Sequence, residues 1–175
     1  EELVWANYGV RVKDVHHLRL GFYQGDIFTE EPQNERDVTP VLEQLREFKP
    51  TVISLAMDPE GSGPDTHYKV LQTIAHAVRL WSQEADLSKL RIWGYRNVWY
   101  RFDLAEADII VPVTLNSMSI LNSTFMNCYL SQKDASFPSY EYDGPFCELS
   151  QKIWVEQHHD LQLLLGRDYW YRNEN

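Results

Sequence analysis

Helical and strand-like patterns of apolar residues alternate along the first half of the chain. Apolar residues recur at helical spacing between Val41 and Phe48, and a second such stripe runs from Val70 to Trp81. The β-branched run over residues 51–57 between them is typical of a strand that helices cover on both faces. The predicted elements are a helix over residues 1–8, a strand over 15–20, a helix capped by Asp37 or Thr39 that ends at Pro50, a strand over 51–57, a helix capped by Thr66 and a strand over 90–95.

Strand patterns follow one another in the second half before two further helices. Residues 98–104 and 108–113 read as strands, Thr114 caps a helix, and a last helix runs from about Glu148 to Leu165 and ends at Gly166. Alternation of this kind predicts an α/β fold, in which helices cover both faces of a parallel or mixed sheet. We expect a single domain over residues 1–175.

Charge and composition narrow the class of protein. The 26 acidic residues outnumber 16 Lys and Arg, for a formal net charge of −10, which argues against binding to the phosphate backbone of nucleic acids. No apolar run approaches the roughly 18 residues of a membrane helix, so we expect no membrane partner. Cys128 and Cys147 are too few for a disulfide framework, and with no signal peptide in view they predict free thiols and a cytoplasmic location.

The loop after the strand at residues 51–57 is the first candidate site. It holds Asp58, Glu60, Asp65 and His67 within ten residues, where a strand leads into a helix. Ligands of open α/β sheets bind at this edge, and three carboxylates with one imidazole can hold a divalent metal. We predict His67 as a metal ligand and Asp65 as the catalytic residue. The alternative is that Asp58 and Asp65 only form Asx turns beside prolines.

A second candidate cluster follows the strand at residues 90–95. Arg96 and Asn97 are placed to project at the same sheet edge as the acidic loop, and Trp99 offers a platform on which a sugar ring can stack. We predict all three as substrate-binding residues. A β-turn whose aromatic side chains belong to the core is an equally good interpretation.

The order of these segments resembles that of a known enzyme family. They are Asp58-Pro-Glu-Gly after a strand, Asp65-Thr-His67 opening a helix, Trp93-Gly-Tyr-Arg-Asn-Val-Trp99, Ala107-Asp-Ile-Ile-Val-Pro-Val113, and a helix closing with Ser131-Gln132. The chain is similar to zinc-dependent de-N-acetylases of the LmbE/PIG-L type, and most to the version that extends some bacterial glucosamine-6-phosphate deaminases at their C-terminus. The resemblance implies a three-layer α/β/α fold with a mostly parallel, Rossmann-like sheet and added strands in the second half.

The same resemblance implies deacetylation of an amino sugar or sugar phosphate by a zinc-bound water, with His67 as one ligand. Other expected features of the family are absent: Pro64 stands where many members have a second His, and the metal-binding His-Pro-Asp-Asp motif would precede Glu1. We therefore expect an N-terminally truncated domain that is inactive and binds zinc weakly by itself. It would be joined to an N-terminal domain or form a homo-oligomer.

Two further hypotheses remain open on these residues. One is a non-catalytic sugar-binding or assembly module appended to a glucosamine-6-phosphate deaminase, and the other is an unrelated α/β domain. The first is motivated by Pro64, which stands where many members of the family have a His. The second would hold if the order of segments resembles the family only by chance.

Overall fold

A computed structural model describes residues 1–23, 29–96, 101–135 and 143–172. Their helices are α1 (Glu2–Asn7), α2 (Thr39–Phe48), α3 (Asp65–Trp81), α4 (Leu115–Cys128), α5 (Phe146–Leu165) and α6 (Arg167–Arg172), and their strands are β1 (Val52–Ala56) and β2 (Arg91–Tyr95). Short 3-10 turns lie at Val12–Asp14 and Leu104–Glu106, and a π-helical turn at Asn34–Val38 leads directly into α2. The chain divides into two compact units, a sheet unit of residues 17–101 and a helical unit of residues 1–16 and 102–175.

The sheet unit is built on two parallel strands that α3 connects. Val52 pairs with Arg91 and Ala56 with Tyr95, so both strands end at the same edge. Helix α2 packs against α3, and the buried side chains between these elements form the core of the unit. The core residues are Val38, Val41, Leu42, Leu45, Ala77 and Trp81. Helix α2 ends where Lys49 takes a left-handed conformation (φ 46°) before Pro50, as the sequence predicted.

Two predicted helix caps in this unit are wrong. Helix α3 begins after Pro64 without a side-chain cap, so Thr66 does not cap it. Asp37 lies inside the π-helical turn, fully buried, where its carboxylate accepts hydrogen bonds from the main-chain N–H groups of Phe22 (3.1 Å) and Gln33 (2.8 Å). Asp37 therefore joins the segment around Phe22 to the start of the α2 region, a role that spacing within the helix does not reveal.

The helical unit confirms the predictions for its helices. The Thr114 hydroxyl caps α4 by accepting a hydrogen bond from the N–H of Ser117 (3.1 Å), and α5 ends at Gly166. Helix α4 packs against both α1 and α5, with Phe125 beside the ring of Phe146. The structure also bears out the prediction of free thiols for both cysteines.

The predicted strands outside the β1–β2 pair are not observed. Residues 15–20 and 108–113 lie outside any helix or strand, and residues 101–103 of the predicted strand at 98–104 are irregular, while 98–100 fall outside the described residues. Arg19 takes a positive φ of 48°, which breaks the extended conformation that a strand requires. The sheet of the described residues thus has two strands, and the added strands of the second half are a wrong prediction there.

The fold is therefore mixed α/β with a small parallel sheet and several helices. Within the residues that the structure describes, no helix has the length and apolar character needed to cross a membrane.

Candidate functional site

The carboxyl ends of β1 and β2 bring the acidic loop and Arg96 together. The main-chain N–H of Met57 donates to the carbonyl of Tyr95 (2.8 Å), which holds the two strand ends side by side. The Arg96 side chain then reaches the carboxylates of Asp58 and Glu60 in the loop after β1. The prediction that Arg96 projects at the same edge as this loop is confirmed.

Gly94 makes this close approach possible. A Cβ atom at position 94 would lie 2.8 Å from the Cβ of Met57 and 2.9 Å from its Cε, closer than real carbon atoms approach. The Cβ of Met57 is fixed to the main chain and cannot turn away as the end of a flexible side chain can. The absence of a side chain at Gly94 thus allows the start of the loop to lie against β2.

Asp58 is a buried carboxylate that shapes the loop. It is 2% exposed, and its Oδ1 accepts hydrogen bonds from the main-chain N–H (2.9 Å) and hydroxyl (2.6 Å) of Ser62, while Oδ2 accepts from the N–H of Gly63 (2.7 Å). Burial alone would raise the pKa of Asp58, but the hydrogen bonds from Ser62 and Gly63 and the charge of Arg96 lower it overall. Asp58 is therefore a charged structural anchor of the loop. It does not form the Asx turn of the alternative interpretation, because its donors lie four and five residues further along the chain and not two.

Arg96 forms a two-bonded pair with Glu60. Its Nη2 donates to Oε1 of Glu60 at 3.0 Å and its Nη1 donates to Oε2, while Nη1 lies 3.9 Å from Oδ1 of Asp58. The Arg96 side chain is 11% exposed and that of Glu60 is 49% exposed. Hydrogen bonding from Arg96 lowers the pKa of Glu60, so this carboxylate is ionised near neutral pH.

Asp65 belongs to a second charged cluster around Lys69. The Lys69 ammonium lies 2.9 Å from Oδ2 of Asp65 and 3.4 Å from Oε1 of Glu31, and it donates to the carbonyl (3.0 Å) and hydroxyl (2.7 Å) oxygens of Thr29. The Thr29 hydroxyl in turn donates to Asp65. This hydrogen bond and the one from Lys69 lower the pKa of Asp65. The predicted catalytic carboxylate is thus ionised and engaged with a cation and a hydroxyl.

His67 lies in the first turn of α3, as predicted, and is half-buried. Its main-chain N–H donates to the carbonyl of Pro64 (2.9 Å). Asp58 is engaged by main-chain N–H groups, Asp65 by Lys69 and Thr29, and Glu60 by Arg96. Throughout the described ranges no three His, Cys, Asp or Glu side chains are gathered to hold a metal. The donor set that this loop offers therefore does not fit zinc without ligands from elsewhere.

Lys69 is the residue of this edge that sequence reasoning missed. It is 5% exposed, although a lysine within a helix is normally solvated. Its position four residues after Asp65 was a usable signal of an ion pair. Its burial was not predictable, because Thr29 and Glu31 reach it from a distant segment of the chain.

Asn97 and Trp99, the other two predicted substrate-binding residues, lie outside the described residues. In the sheet unit, a pocket of about 320 Å³ lies at the opposite, amino end of the strands, next to Pro50 and Leu90.

Comparison with known proteins gives one informative relationship. No family model matches the sequence, and no solved structure matches it. Over 128 residues the chain is 30% identical to a glucosamine-6-phosphate deaminase-like protein of Bacteroides thetaiotaomicron. The aligned stretch is 70% of this chain and 19% of the relative, so the chain spans about a fifth of that protein's length. The chain is a distant homologue of part of that protein.

Proposed function

We propose that the chain is an amino-sugar-binding portion of a glucosamine-6-phosphate deaminase-like protein in amino-sugar metabolism. The observation that carries the proposal is the position of Arg96 at the carboxyl ends of the two parallel strands, beside the Asp58 loop. Open α/β sheets bind ligands at this edge. The name of the distant homologue supports amino sugars or their phosphates as the ligand class.

The chemistry of the edge agrees with such a ligand. A guanidinium group binds phosphate oxygens through two parallel hydrogen bonds, and it does so with a fixed geometry. Asp58 lies behind Arg96 as a buried negative charge that its own hydrogen bonds keep ionised. The Asp58 carboxylate thereby helps to hold the guanidinium at the strand ends, where a sugar phosphate would reach it.

Binding of sugar phosphates to Arg96 variants tests this proposal. Titration calorimetry with glucosamine 6-phosphate and N-acetylglucosamine 6-phosphate should show binding that Arg96→Ala weakens at least tenfold, the loss of about one charge-assisted hydrogen bond. Arg46→Ala is the matched control, since Arg46 forms a similar two-bonded pair with Glu84 elsewhere in the sheet unit. Equal affinities for the two variants would contradict the proposal.

A second candidate is the zinc-dependent deacetylase that the sequence resembles. The half-buried His67 favours it, because an imidazole in the first turn of α3 lies on the same loop as Asp58 and Asp65. Zinc would supply an activated water for attack on an acetamide. The described carboxylates are engaged elsewhere, so we infer that His67 would act with ligands from other parts of the complete protein.

Zinc content and acetate release distinguish the two candidates. Both are measured on the full-length polypeptide with N-acetylglucosamine 6-phosphate as substrate. His67→Ala should abolish both if the chain contributes to a deacetylase, whereas His76→Ala, later on α3, should change neither. Sugar-phosphate binding without zinc-dependent acetate release would leave only the binding function.

A further inference from the structure

The two carboxylates next to Arg96 differ in how firmly they are held. Asp58 is 3% exposed at its side chain and has both oxygens bonded to Ser62 and Gly63. Glu60 is half exposed, and its carboxylate binds the terminal nitrogens of Arg96 through two hydrogen bonds. Asp58 is thus a permanent neighbour of the guanidinium, while Glu60 can rotate into solvent if another anion takes over its two hydrogen bonds with Arg96.

Glu60 also occupies the two terminal nitrogens of Arg96, to which an anion would bind. The Nη1 and Nη2 atoms carry the parallel N–H groups that recognise a carboxylate or a phosphate in the same way. Both nitrogens already donate to Glu60, so an anion that accepts the same two hydrogen bonds takes the place of that carboxylate.

We propose that Glu60 is a displaceable internal counter-ion, which occupies the guanidinium of Arg96 until a phosphate group takes its place. The inference deepens the proposed function and rests on it for the identity of the sugar, since it names phosphorylated ligands as the preferred class. A phosphate ester carries up to two negative charges and three acceptor oxygens, whereas the Glu60 carboxylate carries one negative charge and two acceptor oxygens.

The energetics allow this exchange. Exposed ion pairs contribute little to stability, because solvent screens them and their long side chains lose rotational freedom. Only the Glu60 side of this pair is exposed, so water replaces the hydrogen bonds that its carboxylate loses, while the phosphate replaces those of the nearly buried Arg96. The exchange also removes one of the acidic groups that would repel the phosphate. A neutral sugar gains nothing that compensates for this loss, so Glu60 favours the phosphorylated form.

Glu60→Gln and Glu60→Asp variants test the proposal by titration calorimetry. The probes are glucosamine 6-phosphate, inorganic phosphate and unphosphorylated N-acetylglucosamine, whose acetamide carries no charge. Glu60→Gln should bind both phosphate-containing probes about fivefold more tightly than the native chain, the equivalent of one exposed ion pair. Its affinity for the uncharged N-acetylglucosamine should not change. Glu84→Gln is the matched control, because it removes the same charge from the Arg46 pair.

Glu60→Asp separates displacement from general repulsion. It keeps the charge but shortens the side chain by one methylene group, which weakens the two-bonded contact with Arg96. Tighter phosphate binding by Glu60→Asp supports a counter-ion that competes for Arg96, whereas native-like binding by Glu60→Asp together with tighter binding by Glu60→Gln would mean repulsion alone and overturn the proposal. Equal or weaker phosphate binding by Glu60→Gln would also overturn it.

The inorganic phosphate probe keeps this inference distinct from the proposed function. If Glu60→Gln tightens phosphate binding while glucosamine 6-phosphate binds no better than phosphate itself, the amino-sugar assignment fails and the counter-ion role of Glu60 stands. If the native chain binds glucosamine 6-phosphate in preference to phosphate and Glu60→Gln has no effect, the assignment stands and the counter-ion role fails.

Discussion

The two ends of the β1–β2 sheet carry the same polar groups in different surroundings. At each end, an aspartate closes a turn by accepting hydrogen bonds from a serine. Each end also has an arginine that forms an ion pair with a glutamate. At the carboxyl end these are Asp58 with Ser62 and Arg96 with Glu60, and at the amino end they are Asp86 with Ser88 and Arg46 with Glu84.

The main-chain hydrogen bond from the serine does not distinguish the two ends, although the bond from the serine hydroxyl is shorter at Asp58 (2.6 Å) than at Asp86 (3.2 Å). The serine N–H lies 2.9 Å from the aspartate Oδ1 in both turns. Burial does distinguish them, since Asp58 is 2% exposed and Asp86 is exposed. The carboxyl end is therefore a preorganised charged site, because Asp58 behind Arg96 is excluded from solvent and cannot rearrange without losing its hydrogen bonds.

The largest effect should come from removing the buried aspartate. Asp58→Ala leaves the N–H groups of Ser62 and Gly63 without their acceptor and removes a buried negative charge next to Arg96, and it should lower the free energy of unfolding by about 2–4 kcal/mol. Urea unfolding measures the change. Asp86→Ala removes the same hydrogen bonds in solvent and should have little effect. Similar losses for both variants would show that burial does not separate the two ends.

Gly94→Ala should have the next largest effect. The added methyl group would meet Met57, so we expect a loss of about 1–3 kcal/mol, as for other overpacked positions. Because Met57 begins the loop that carries Asp58 and Glu60, the same variant should also weaken binding of glucosamine 6-phosphate. Native stability and binding would mean that the strand ends separate easily.

The free energy of unfolding should depend on pH through the buried carboxylates Asp58 and Asp37. Burial opposes ionisation of Asp58 and Asp37, but their hydrogen bonds and neighbouring arginines lower the pKa of both below the ordinary value. Their stabilising effect is complete above the unfolded pKa of about 3.9 and is lost as the pH falls through the lower folded pKa. The free energy of unfolding should thus fall below about pH 4, and less steeply in Asp58→Asn. If the free energy of unfolding of Asp58→Asn fell with pH as steeply as that of the native chain, this role of Asp58 would be contradicted.

The smallest effect should come from the exposed ion pair. Arg46→Ala breaks the pair with Glu84 in solvent, where such pairs stabilise little. Its melting temperature, followed by circular dichroism, should stay close to that of the native chain. A loss as large as that of Asp58→Ala would remove the distinction between the two ends.

Elements with strong local signals were predictable from sequence. The apolar spacing of α2, α3 and α5, the β-branched run of β1 and the Thr114 cap of α4 all depend on neighbouring residues. The meeting of Arg96 with the acidic loop was predictable for a related reason, since parallel strands end at a common edge. The alternation of strand and helix patterns along the chain was sufficient to predict that these two strands are parallel.

Features that depend on distant residues were not predictable. Residues 15–20 and 108–113 have strand-like composition, but a strand forms only where a partner supplies hydrogen bonds. Lys69 is buried because Thr29 and Glu31 approach it, and Asp37 because Phe22 does. The pairing of Glu60 with Arg96 and of Asp65 with Thr29, which engages two of the carboxylates predicted for a metal site, likewise depends on distant residues.

The parallel pairing of β1 with β2 also sets an order of events during folding. Val52 pairs with Arg91, and the whole of α3 lies between them in the sequence. The chain must therefore lose the conformational entropy of closing a long loop before the first hydrogen bond between the strands forms. Contacts between α2 and α3 are closer in sequence and bury the core around Leu45 and Ala77. We expect this helix pair to dock first and the strands to pair late, so substitutions around Ala77 should slow folding while Gly94→Ala should mainly speed unfolding.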